Sequence, residues 1–207
     1  MLVLLGYKQF GVKGMAVLLV GGAAICAAAW LSSANLQNRT IGVWKEVQAY
    51  RESNTQNSSG ERLEFWRKSL GFVRDAPVIG HGTGSIHDLF RRSAVGQTGA
   101  SGSATVNPHN QTFAVAIQLG LMGTAVLWAL WIAHLLLFRG NSMPEWIGLV
   151  VVVQNIVGSV FNTHLFDFMQ GWVYVFGVGV AGGMTYRLRA DKTAQQDKSG
   201  GSSAQPQ

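Results

Sequence analysis

The chain has 207 residues, a formal net charge of +6 and 48% hydrophobic residues, values that suit either a soluble domain or a membrane protein. Its single cysteine, Cys26, excludes a disulfide within one copy of the chain. Only 13% of the residues are charged, and their distribution along the chain is more informative than their number.

Four segments without Asp, Glu, Lys or Arg predict transmembrane helices. They are residues 14–34, 112–138, 146–165 and 168–186. A helix needs about 20 apolar residues to cross a bilayer core of roughly 30 Å, so each segment is long enough. The third is interrupted by several polar residues and is the weakest prediction.

The basic flanks of these segments predict an orientation. Lysines and arginines before the first, after the second and after the fourth segment all fall on one side, which is expected to be cytoplasmic. These residues are Lys8, Lys13, Arg139, Arg187, Arg189, Lys192 and Lys198. Residues 33–111 then form a long extracytoplasmic loop. The alternative for the first segment is a signal peptide, which also has basic residues before an apolar run.

The predicted fold is an all-α integral membrane helix bundle with about four transmembrane helices and a long extracytoplasmic loop containing amphipathic helices. Residues 1–32 hold the N-terminal segment and the first membrane helix, and residues 33–111 the loop. Residues 112–189 hold the other three helices. Residues 190–207 are polar and low in complexity, which predicts a disordered cytoplasmic tail.

Apolar residues at helical spacing predict two amphipathic helices in the loop. The first ends near Tyr50 and has the apolar residues Ile41, Trp44 and Val47. The second covers residues 61–74 and has the apolar residues Leu63, Trp66, Leu70 and Val73. Ser58 and Glu61 have the spacing of a capping box at its start. Residues 96–105 are rich in Gly and Ser and are predicted to be mobile.

Three short motifs carry the functional signal. Residues 59–66 read SGERLEFW, residues 76–84 read APVIGHGTG, and residues 108–123 begin with PHN and end with QLGLMG. The alternating glycines of the second motif allow tight turns but do not fit the G-x-G-x-x-G dinucleotide fingerprint. In this order, beside membrane segments, the three motifs resemble those of the O-antigen ligase and polymerase superfamily.

The resemblance implies a membrane enzyme that transfers a glycan from an undecaprenyl-pyrophosphate carrier to an acceptor hydroxyl, with no metal or other cofactor. In ligases the acceptor is a sugar of the lipid A core. In polymerases it is another carrier-linked repeat unit, and in the related oligosaccharyltransferases a protein side chain. The expected location is the bacterial inner membrane, with the loop in the periplasm.

The same resemblance sets expectations about partners. Besides the carrier-linked glycan and its acceptor, membrane lipid is an expected partner, and nucleic acid is not. Members of the superfamily usually have many more membrane helices than this chain. The chain is therefore expected to be the C-terminal portion of a longer enzyme or to need a separate N-terminal half.

The residue chemistry predicts where the reaction takes place. Arg62 is the leading candidate to bind pyrophosphate, because a guanidinium pairs bidentately with phosphate oxygens, and Arg51 and Arg67 are weaker candidates. His109, at the start of the second membrane helix, is the candidate base for the acceptor's proton. His81 and Asn110 are supporting candidates.

Other interpretations of these residues stay open. Arg62 also suits a solvated helix surface, and His109 also suits a helix start. Gln118 stands where the superfamily often has an acidic residue, which puts a carboxylate role there in doubt. A lipid-phosphate phosphatase is one alternative function, but it would need a P-S-G-H motif that the sequence lacks.

A non-enzymatic accessory protein is the other alternative function. Such a protein would use the positive charge of the loop to bind a partner or anionic headgroups.

Overall fold

The computed structural model describes residues 2–202 and the side chains of residues 11–196. The regular secondary structure of this part is all helical, with seven α-helices, one short 3-10 helix and no strand. The α-helices are α1 (Leu2–Ser32), α2 (Ala34–Ser53), α3 (Ser58–Asp75), α4 (Ser85–Ala94), α5 (Gln111–Leu137), α6 (Met143–Ser159) and α7 (Phe168–Ser202). The prediction of an all-α fold is confirmed.

Two helices in the described part are long and apolar enough to cross a membrane. They are Gly11–Ser32 of α1 and Gln111–Leu137 of α5, which match the first two predicted spans. Helix α6 is apolar but has only 17 residues. Helix α7 has 35 residues and is polar in its second half. The count of about four spans therefore stays a prediction.

The chain divides into two compact units, of which the first comprises Met1–Gly71 and His87–Val106. Ser33 alone separates α1 from α2, and its hydroxyl accepts the Leu36 backbone N–H at 3.3 Å. Helices α3 and α4 are held together by Phe65 and Phe90, both buried, whose rings meet edge to face with centroids 5.4 Å apart. The apolar stripe predicted for α3 does not form this contact: Phe65 lies outside the stripe and is buried, whereas Leu70 of the stripe is 56% exposed.

The N-terminus of α3 is capped differently from the prediction. The Asn57 side-chain oxygen accepts the Gly60 N–H at 2.8 Å. Glu61 accepts hydrogen bonds from Gln56 and Ser103 at 2.9 and 2.7 Å instead of returning to the helix start. The predicted capping box is therefore wrong, because an asparagine one residue earlier takes the capping role.

The Gly/Ser-rich segment predicted to be mobile is instead tied down at its centre, where Gly99–Gly102 forms the 3-10 helix. The Asn54 side chain donates to the Thr98 carbonyl at 2.7 Å and accepts the Ser101 N–H at 3.1 Å. Its backbone carbonyl accepts the Ala100 N–H at 3.0 Å. Hydrogen bonds from Asn54, which lies 44 positions before Thr98, thus hold a segment whose own sequence does not favour regular structure.

The second unit comprises Phe72–Ile86 and Asn107–Gln207 and contains α5, α6 and α7. Helix α6 packs against both α5 and α7. Two polar pairs lie in this apolar bundle: Trp131 donates to Asn155 at 3.2 Å, and a ring nitrogen of His134 bonds the Tyr174 hydroxyl at 2.7 Å. Pairing of this kind is needed where water is excluded.

The predicted disordered tail, residues 190–207, begins within helix α7. Helix α7 runs on to Ser202, through alanines, lysines and glutamines that favour helix and without a proline to interrupt it. The disorder predicted for residues 190–207 stays a prediction. The rest of that tail, residues 203–207, lies outside the described residues.

Candidate functional site

Helix α5 is broken at Gly120, and the glycine-rich motif fills the break. Gly120 has φ 64° and ψ −157°, so the helical hydrogen bonding stops there and starts again. The backbone N–H groups of His81 and Gly82 donate to the carbonyls of Ile117 and Gln118 at 2.8 and 2.9 Å. In return Leu121 and Met122 donate to Pro77 and Val78 at 2.8 and 3.3 Å.

These four bonds satisfy two carbonyls before the break and two N–H groups after it. A helix interrupted in an apolar environment needs such partners, because each unsatisfied group is costly there. Two of the sequence motifs, around residues 77–84 and 118–123, are therefore the two halves of one structural element. We call this element the seam.

Glycine is required on both sides of the seam. Gly80 and Gly120 have φ of 70° and 64°, where side chains are disfavoured. A Cβ atom on Gly80 would meet the Gln118 carbonyl, and one on Gly120 would meet the Val78 carbonyl. The two backbones approach too closely for any side chain between them.

Gln118 has a structural role at the seam. Its side-chain oxygen accepts the Gly84 N–H at 2.7 Å, and its Nε2 donates to the Ala114 carbonyl at 2.9 Å. A carboxylate at this position would accept from Gly84 but would lose the second bond. The glutamine thus suits this loop conformation.

The PHN motif forms the start of α5. Pro108 is fully buried. Asn110 caps the helix, accepting the Phe113 N–H at 3.0 Å, and its Nδ2 donates to the Val160 carbonyl at the end of α6, also at 3.0 Å. Asn110 therefore supports the motif by fixing the helix start to a neighbouring helix.

The backbone of His109, between Pro108 and Asn110, is strained. Its φ of 54° is one of two positive values among the described non-glycine residues. A left-handed conformation costs a non-glycine residue about 1–2 kcal/mol. Asn107 compensates: its side-chain oxygen accepts the His109 N–H at 2.7 Å, and its amide donates to Asn162 at 2.8 Å. Strain held in place in this way is typical of functional residues.

His81, the other histidine candidate, is oriented by the loop. It is exposed, and its Nε2 lies 2.8 Å from the Phe72 carbonyl. Because a carbonyl only accepts, Nε2 carries the hydrogen, and in a neutral ring Nδ1 is then the acceptor.

The three candidate arginines lie in the first unit and differ in their partners. Arg62 is exposed and makes no ion pair with any described residue. Arg67 donates twice to Glu64, at 2.8 and 2.6 Å. Arg51 is exposed and, with Arg67, lines one polar cavity of about 450 Å³. Arg62 and Arg51 are therefore both open to an external phosphate, whereas Arg67 is already paired with Glu64.

Glu64 is the centre of a buried polar cluster that the sequence analysis did not identify. Only 1% of Glu64 is exposed. The hydrogen bonds from Arg67 and from the Tyr50 hydroxyl, 2.6 Å away, lower the pKa of Glu64 to about 2. Burial lowers the pKa of neighbouring Lys68, whose ammonium donates to the Ser101 carbonyl at 2.6 Å.

A sequence signal existed for some of these residues. Glu64 and Arg67 are opposite charges three positions apart on a helix, a spacing that allows pairing. Asn107 precedes a proline, and Asn-Pro is typical of a turn. For the bonds from Asn54 to residues 98–101 there was no local signal.

The described residues offer chemistry based on arginine and histidine. Among them no group of three or more His, Cys, Asp and Glu side chains is arranged to hold a metal ion. Arg62 is a cation available to an anion, and His109 is a half-buried base candidate at a helix N-terminus.

Two comparisons relate this chain to known proteins. An uncharacterized protein of Haemophilus influenzae is 28% identical over 132 residues, a match that covers 61% of this chain and 33% of that protein. The chain thus spans about a third of the length of the relative that it matches. The profile of the O-antigen ligase family matches residues 1–129, which include all three motifs. The superfamily prediction is confirmed: the chain belongs to the O-antigen ligase family.

Proposed function

We propose that this protein is an inner-membrane glycosyltransferase of the ligase type, which transfers a glycan from an undecaprenyl-pyrophosphate carrier to a sugar hydroxyl of the lipid A core. Family membership and two membrane-length apolar helices support a membrane enzyme of this general class. The observation that carries the assignment of the base is the strained backbone of His109, held by Asn107 within a family motif.

In the proposed reaction, the acceptor oxygen forms a bond to the anomeric carbon while the bond from that carbon to the pyrophosphate oxygen breaks. The pyrophosphate lipid leaves with the electron pair. His109 accepts the proton of the acceptor hydroxyl, a role that typically accelerates a reaction 10²–10⁴-fold. Arg62 neutralises charge on the pyrophosphate, which a guanidinium does through two parallel hydrogen bonds.

Substitution of the two residues in the full-length protein tests the proposal. In a strain whose surface glycan depends on the gene, His109→Ala and Arg62→Ala should each abolish glycan attachment and leave the amount of membrane protein unchanged. The readout is gel electrophoresis of lipopolysaccharide, with immunoblotting for the protein. His87→Ala and Arg74→Ala are matched controls, because both side chains are exposed and neither has a role in the proposal.

The same gels separate the related activities. Accumulation of carrier-linked polymer with bare lipid A core supports a ligase. Lipid A core carrying a single repeat unit would identify a polymerase, and loss of glycan from a protein alone would identify an oligosaccharyltransferase. Normal display by both variants would overturn the assignment of the base and of the phosphate ligand.

A further inference from the structure

The polar cavity in the first unit has a defined wall. It has a volume of about 450 Å³, within the range of roughly 300–1,000 Å³ typical of small-molecule sites. Its lining comes from the end of α2, from one face of α3 and from the 3-10 helix. These residues are Tyr50, Arg51, Glu52, Ser53, Asn54, Glu64, Arg67 and Ser101.

Hydrogen bonds between the elements hold this wall in one conformation. Tyr50 on α2 donates to Glu64 on α3 at 2.6 Å. The Ser101 hydroxyl and N–H both bond the Asn54 side chain at 3.1 Å. Lys68, only 8% exposed, fixes the Ser101 carbonyl from behind at 2.6 Å. The polar groups are therefore preorganised, which lowers the cost of binding a ligand.

The charges of the cavity favour a neutral ligand over an anion. Two arginines face two glutamates in the lining, so the formal charges cancel. Arg67 is already neutralised by the buried Glu64. A site for pyrophosphate needs cations without such compensation. A neutral polyhydroxyl ligand instead needs donors and acceptors side by side, and the cavity offers guanidinium, carboxylate, amide and hydroxyl groups.

We infer that this cavity binds a sugar residue of the glycan, with Arg51 as a donor and Glu52 as an acceptor to its hydroxyls. The inference rests on the proposed glycan-transfer function and gives Arg51 and Arg67 a part in sugar binding, leaving Arg62 as the pyrophosphate ligand. Both Arg51 and Glu52 are exposed, and neither makes an ion pair with a described residue.

Binding to the purified full-length protein in detergent tests the inference without turnover. The probes are a lipid-free oligosaccharide released by mild acid from the host's surface polysaccharide and, separately, sodium pyrophosphate. Arg51→Ala and Glu52→Ala should each weaken oligosaccharide binding about tenfold, the effect of one lost hydrogen bond to a charged group. Asp75→Ala, which removes an exposed carboxylate outside this lining, should leave binding unchanged.

Glu52→Ala distinguishes the two ligand chemistries by the direction of its effect. At a sugar site it removes an acceptor and weakens binding. At an anion site it removes a repelling charge, so tighter pyrophosphate binding by Glu52→Ala with weaker binding by Arg51→Ala would overturn the inference. Oligosaccharide binding that neither substitution changes would overturn it too.

His109→Ala protein separates this inference from the proposed function. It should bind the oligosaccharide as the wild type does while failing to transfer it. If it transfers glycan normally, the role of His109 fails and the sugar site stands. If it is inactive and the cavity variants bind normally, the sugar site fails and the role of His109 stands.

Discussion

Glu64 links two helices of the first unit. Its carboxylate is buried between α2 and α3, and it accepts hydrogen bonds from Tyr50 and Arg67. A buried carboxylate without such partners would cost several kcal/mol, so the cluster is stable only when complete. The i,i+3 spacing of Glu64 and Arg67 allows the pair, but the second partner of the buried Glu64 carboxylate is Tyr50, 14 residues earlier.

Glu64 should make stability depend on pH in a defined window. Its pKa falls from an ordinary 4.5 to about 2 on folding, so its ionised form stabilises the fold fully above about pH 4.5. That stabilisation declines as the pH falls and is lost through about pH 2. At pH 7, Glu64→Gln should lower the free energy of unfolding by about 1–2 kcal/mol, allowing for the exposed guanidinium of its partner.

Denaturant unfolding in detergent, followed by circular dichroism, measures this effect. The difference between wild type and Glu64→Gln should close between pH 4.5 and 2. Asp75→Asn, at an exposed carboxylate without an ion pair to a described residue, is the control and should show no difference. A gap that persists unchanged at pH 2 would contradict an electrostatic origin.

At the scale of elements, the spacing of apolar residues predicted most helices. It did not predict the contacts between helices and loops. Helix α3 was predicted over residues 61–74 and is found over Ser58–Asp75, although Glu64, Phe65, Lys68 and Ser69 form its buried face and the predicted apolar stripe does not. Helix α5 was predicted to within one residue, yet its break was not. The segment around Gly120 is as apolar as the rest of the helix, and the loop that fills the break lies about 40 residues earlier.

The seam predicts an order of severity among glycine substitutions. Gly82→Ala should cost only the strain of a positive φ, about 1–2 kcal/mol, since a Cβ there meets nothing within 4 Å. Gly80→Ala and Gly120→Ala add a clash with backbone that cannot move, so each should lower the apparent melting temperature further. Gly71→Ala, in a helix and open space, should be neutral or stabilising.

Thermal unfolding in detergent, followed by circular dichroism, ranks these four variants. Equal losses for Gly80→Ala and Gly82→Ala would show that the close backbone approach at the seam does not affect stability.

At the scale of the whole molecule, the predicted orientation is open to a labelling experiment that uses the single cysteine. Cys26 lies in the apolar stretch of α1 and should resist a membrane-impermeant maleimide. In a Cys26→Ser background, Ser58→Cys should react in intact spheroplasts, and Gln195→Cys only after permeabilisation. Both positions are exposed, so differences in reaction report the side of the membrane.

Reaction of Gln195→Cys in intact spheroplasts would contradict the predicted topology. So would protection of Ser58→Cys until the membrane is opened.

The seam also has a consequence for biogenesis. Residues 77–84 leave the ribosome before α5. In the predicted topology, the break in α5 gains its backbone partners only when those residues have been translocated and folded. Until then the interrupted helix would enter lipid with bare amides and carbonyls, which the bilayer penalises by several kcal/mol each. Stable insertion of α5 is therefore conditional on a correctly folded loop, so a defect in the loop would send the chain to membrane proteolysis.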